Sequence, residues 1–174
     1  MNADDAADWA RSLAWAEQQA FVSVGGWAAR SQSDAVSAAL APVGAHHGAR
    51  AEWWRALWPA RRGGSDGPDD AVPPETDRVG GLARELEALT GPLGPRSTEP
   101  LDEAASMAAL GGSTQVILPR LIVAYDEFLK AATTIADHPT RRVADLSLQD
   151  ASTDWRALTR KLHALAGRPT VGEA

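Results

Sequence analysis

Apolar residues recur through this chain at the spacing of helical turns, and twice a titratable residue stands inside the apolar stripe. Glu17 lies among Leu13, Ala20, Phe21 and Val24. His47 lies among Val36, Leu40, Val43, Trp54 and Trp58. A helix turns about 100° per residue, so both side chains share the hydrophobic face and point toward a core. Buried charge is costly unless it is paired or bound to metal. The pattern therefore demands packed helices with a polar centre between them, and that centre is where function is sought.

The chain has 174 residues, enough for one helical domain over 1–174 with a sizeable core. Alanine is abundant and β-branched residues are few, which favours helix over sheet. Cysteine is absent, which excludes disulfides, thiolate metal sites and a cysteine nucleophile. The formal net charge is −6 with no basic face, which disfavours nucleic acid as a partner. The acidic N-terminus carries no secretory pattern, so the expected location is cytoplasmic. The longest apolar stretch, residues 116–125, is interrupted by Pro119-Arg120 and is too short to span a bilayer, so no membrane is expected.

Punctuation by glycine and proline divides the chain. A first helix is expected from residue 5 or 8 to 30, with Gly25-Gly26 loosening it or admitting a close neighbour. A second covers 33–58, with Pro42 as a kink or break and Pro59 as its end. Residues 60–74, rich in Gly, Pro and Asp, read as a flexible surface loop. Short helices are expected over 76–90 and 101–110, the latter stopping or bending at Gly111-Gly112. Long helices follow over 113–137 and 140–166, and 167–174 is a tail. The expected fold is all-α: four long helices in two hairpins, with short helices in a long crossover.

The hairpins share a short repeat. Trp54-Arg55-Ala56-Leu57 recurs as Trp155-Arg156-Ala157-Leu158. Aligning the copies sets Leu148 against His47 and Ala151 against Arg50. Aligning Leu13 with Leu121 sets Tyr125 against Glu17. Inward positions match inward positions, as a duplicated hairpin requires.

On these features the chain resembles the ferritin-like superfamily, whose four-helix bundles join two hairpins by a long crossover. That family's di-iron centres take one Glu from each of two helices and a Glu-x-x-His pair from each of the others. Glu17 falls at the first-helix carboxylate position and His47 at the second-helix histidine position. Gly44 stands where the first Glu-x-x-His needs its Glu, Tyr125 replaces the third-helix carboxylate, and Asp145 and Leu148 fill the last two slots. The resemblance thus implies a ferritin-like bundle with a degenerate metal site, and no complete cofactor. It also implies an alternative, an iron- or manganese-dependent oxygenase or hydroxylase.

Read from the residues, two uses of the polar positions stay open. Glu17 and His47 can form a buried hydrogen-bonded pair extended by Arg50, one turn from His47, and by the Tyr125 hydroxyl. The same set can line a small-molecule pocket. Alternatively Glu17, His47 and water hold one metal ion, with His46 or Asp126 as a further ligand. Glu85, Glu87, Glu127, His138 and His163 read as surface residues. Trp9, Trp27, Trp54, Trp58 and Trp155 fit core positions, whereas Trp15 and Trp53 fall off their stripes. Off-stripe tryptophans imply a second apolar surface, either a homodimer or partner interface or a dock for the crossover. No phosphate-binding loop, zincin motif or nucleophile elbow is present.

Overall fold

Each long helix begins or ends where the local chemistry dictates, and the resulting rods assemble around the polar positions. A computed structural model describes residues 1–57, 78–89, 91–132 and 138–167. Helix α1 spans Ala3–Arg30. The Asn2 side chain caps it by accepting the Asp5 backbone N–H at 2.7 Å, and Asp4 and Asp5 complement the positive dipole end. Helix α2 spans Asp34–Arg55 and runs undivided through Pro42, whose ring lies on the exposed side. Trp58 and the loop over 60–74 lie outside the described residues, as does the tail from 168.

In the crossover, α3 is the short helix Leu82–Glu87, and a single 3-10 turn covers Gly91–Leu93. Helix α4, Glu103–Gly112, does not stop at its glycines. It passes through a π-turn, Ser113–Ile117, into α5, Leu118–Ala131. The expected separate short helix and long helix are therefore one rod, Glu103–Ala131. Sequence periodicity missed this because glycine inside a helix costs only about 1 kcal/mol, and the continuation is repaired locally. The Ser113 and Thr114 hydroxyls donate back to the Ala109 and Leu110 carbonyls. Pro119 has no N–H to offer the Thr114 carbonyl, and the Trp155 indole N–H supplies one at 3.0 Å. By length and composition alone the joined rod could cross a membrane, a test that core helices also pass. Its inner face carries Leu110, Ile117, Leu118, Leu121 and Tyr125, all buried. Helix α6 spans His138–Ala166.

The long rods form two hairpins, α1 with α2 and α5 with α6, and α2 lies against α6. No strand occurs among the described residues; one isolated backbone bridge joins Ser31 to Leu101. The fold is all-α, as the composition demanded. Helices α1 and α2 approach closely at Gly25 and Gly44: a Cβ on Gly44 would fall 3.1 Å from the Gly25 Cα. The crossover is strapped to α1 at both ends. Arg30 donates to the carbonyls of Pro92, Gly94 and Glu99, and Trp27 donates to Leu93. Arg78 stacks over Trp9 at 5.5 Å and pairs with Asp5.

The aromatic residues depart from expectation in particular ways. Trp15 is buried in the core, on the helix that α3 packs against, so it forms no external surface. Trp53 remains 38 % exposed. Trp155 was expected inward and is 39 % exposed, because its indole turns aside to reach the Thr114 carbonyl. Phe21 was also expected inward. It is exposed and lies over Gly48 on the outer side of the α1–α2 seam. The repeated tetrapeptides thus occupy different environments: Trp54 is fully buried while Trp155 is on the rim.

Candidate functional site

All four long rods contribute to one polar network. Glu17 comes from α1, His47 and Arg50 from α2, Tyr125 from α5, and Asp150 and Asp154 from α6. Glu17, His47, Arg50 and Tyr125 have no solvent exposure. The Glu17 carboxylate is fully engaged. Its Oε1 accepts from Arg50 Nε at 2.7 Å and from the Tyr125 hydroxyl, and its Oε2 faces His47 Nδ1 at 2.5 Å. Arg50 then reaches outward. Its Nη1 donates to Asp150 at 2.5 Å and to Asp154 at 3.1 Å. Its Nη2 lies 2.9 Å from His47 Nδ1.

Packing fixes this geometry. Trp54 stacks parallel on Tyr125 with ring centroids 5.9 Å apart, and Phe128 stands edge-on to both Trp54 and Trp9. The phenol is thereby held with its hydroxyl on the carboxylate. His47 and Arg50 are three residues apart, so one helix face presents both to Glu17.

Charges inside the network are mutually dependent. Burial alone would raise the Glu17 carboxyl, but the Arg50 guanidinium and then His47 outweigh it and hold it at about 2. Burial opposes the Arg50 charge, and Glu17 more than restores it, so its pKa is raised. Burial and then the Glu17 charge push the Tyr125 phenol well above its usual range, so it stays a neutral donor. A carboxylate only accepts, so His47 gives its Nδ1–H to Glu17, which leaves Nε2 as the ring's other nitrogen. That Nε2 is buried without a protein partner among the described residues.

The structure brings Glu17, His47, Arg50 and Tyr125 into direct contact, and separates them from the other two candidate ligands. Asp126 does not approach Glu17. It is half-exposed and pairs with Lys130 on its own helix at 2.5 Å. His46, about 100° around α2 from His47, turns to α6 and meets Asp154 Oδ1 at 2.9 Å. The donor atoms of His46, Asp150 and Asp154 lie within 4.8 Å of one another, a set able to hold a metal ion. Sequence reasoning missed both aspartates. Asp154 sits on the buried face of α6 with Ala151 and Leu158, and Asp150, one turn before it, on the flank. The available signals were that spacing and Arg50 itself, since a buried guanidinium needs more than one carboxylate. Glu85, Glu87, Glu127, His138 and His163 are exposed, and Glu85 pairs with Arg120. A surface groove lined by Gln19, Val22, Glu87 and Leu89 lies where α1 meets the crossover and includes none of the network residues.

No family profile, curated protein or solved structure matches this chain.

Proposed function

We propose that this protein is a ferritin-like helical bundle that works by binding, to a second copy, another protein or a small molecule, and not by di-iron oxygen chemistry. The observation that carries this reading is Arg50. A fully buried guanidinium stands in the interior and bonds Glu17, the buried carboxylate at a ferritin-like ligand position, whereas Asp145 at another such position is exposed. It supplies the positive charge that a metal pair would otherwise bring. Tyr125 completes the substitution, because a neutral phenol donates where a ligand carboxylate would accept. The exposed Trp53 and Phe21 leave apolar area on the α1–α2 hairpin for association.

Anaerobic loading with ferrous iron, followed by admission of air, tests the reading. Iron content, oxygen uptake and the ferric absorbance are followed together. No oxygen uptake beyond that of free iron is expected. Two irons per chain, oxidised in step with oxygen consumption and lost in Glu17→Ala, would overturn it.

A further inference from the structure

The outer half of the network is unbalanced. Helices α2 and α6 meet there in two rungs, His46 with Asp154 and Arg50 with Asp150. The falling numbers on one rod against rising numbers on the other make the pair antiparallel. Arg50 commits Nε to Glu17, while its Nη2 lies beside His47 Nδ1, itself a donor to Glu17. Its Nη1 is the group that bonds both aspartates. Counted with Glu17, three carboxylates share one guanidinium. The Asp154 side chain is only 7 % exposed, so water screens it poorly. Charge held this way calls for a counter-charge.

Access and donor chemistry point the same way. The Asp150 side chain is 32 % exposed and that of His46 is 46 % exposed, so the seam opens to solvent on this side. Zinc bound at 2.0–2.2 Å keeps its ligand atoms roughly 3–3.5 Å apart. The His46–Asp154 contact is already 2.9 Å, and rotation of the exposed His46 and Asp150 side chains closes the rest of the 4.8 Å spread. One imidazole and two carboxylates suit a first-row divalent ion, with water completing the shell. Calcium needs six to eight oxygens, more than the seam provides.

We propose that the α2–α6 seam binds one divalent cation of the zinc class through His46, Asp150 and Asp154. Arg50 remains on Glu17 and acts as a positioning residue for the two aspartates. Arg50 joins this site to the Glu17–His47 centre, but the ligand sets differ: zinc at the seam and iron at the centre are read by separate assays, so failure of one leaves the other reading standing.

The test uses the full chain, stripped with a chelator and titrated calorimetrically with zinc chloride. Cobalt(II) serves as a visible probe of an imidazole–carboxylate site. One ion per chain is expected, with a higher melting midpoint in its presence. His46→Ala and Asp150→Asn each weaken binding by at least about tenfold, the lower bound for even an outer-sphere partner. His46 is half-exposed, so metal-free His46→Ala keeps the parent's fold; Asp150→Asn also weakens a partner of Arg50, so its metal-free melt is recorded beside its binding, which separates lost binding from lost folding. His138→Ala/His163→Ala, at the exposed surface histidines, binds like the parent. The proposal fails if zinc does not saturate at one ion, if the His46→Ala/Asp150→Asn double variant binds as the parent does, or if the surface-histidine variant loses the ion.

Discussion

Replacing Glu17 with glutamine keeps the shape of the interior centre and removes its charge, so its cost can be worked from two directions. The first is proton linkage. The carboxyl is held at about 2 against an ordinary 4.5. A group depressed in the folded state stabilises it above the unfolded pKa, and that stability is lost as pH falls through the folded pKa. The displacement corresponds to about 3 kcal/mol at neutral pH. The second is the cost of breaking a buried ion pair by removing one partner, about 3–5 kcal/mol. Arg50 keeps its aspartates in the variant, which places the cost at the lower end, and the two routes agree. For a chain of this size about 3 kcal/mol lowers the melting midpoint by about 6–12 °C. Linkage adds a signature that packing loss lacks. At pH 3 the folded-state charge of Glu17 contributes only about half its neutral-pH value, so the gap between parent and Glu17→Gln shrinks by about half. Urea unfolding followed by circular dichroism at both pH values measures this. A penalty below about 1 kcal/mol at neutral pH, or one that does not change at pH 3, would falsify the claim that Glu17 is an ionised, charge-paired core residue.

Two other consequences are as direct. Tyr125 is the one tyrosine in the sequence, so tyrosinate absorbance reads it alone; in the folded protein the phenol ionises well above the urea-unfolded chain, which titrates at about 10. A folded-state transition near the ordinary value contradicts its burial against Glu17. Gly44→Ala costs about 1–3 kcal/mol because the new methyl meets the Gly25 backbone. Gly25→Ala has open space for its Cβ and gains up to about 1 kcal/mol of helix propensity; equal effects at both sites would contradict the close α1–α2 approach.

The interior centre was legible residue by residue because helical periodicity converts position into direction. Glu17, His47 and Tyr125 each stand in an apolar stripe, and Arg50 follows His47 by nearly one turn. Stripes report which way a side chain points, not which neighbour it meets. His46 and Asp126 show the limit. Each flanks its stripe, and flank positions face a seam, a partner rod or water depending on how the helices are rotated. His46 found α6, and Asp126 found Lys130. Of the stop or bend expected at Gly111-Gly112, the stop does not occur, for a related reason. The repair uses a tryptophan from another helix, and no local reading contains that donor.

Composition and periodicity determined that this chain would be helical, that its rods would pair, and that an acid, an imidazole and a phenol would point inward. Those properties follow from backbone geometry within one helix. The tertiary structure alone decided which charges meet: that Arg50 bridges Glu17 to Asp150 and Asp154, and that His46 leaves its neighbour's cluster for a different seam. Partner choice depends on the register and rotation of rods whose contacting residues are 33 apart between α1 and α2 and 100 or more apart between α2 and α6. Packing of the whole core sets those quantities, and no window of sequence encodes them.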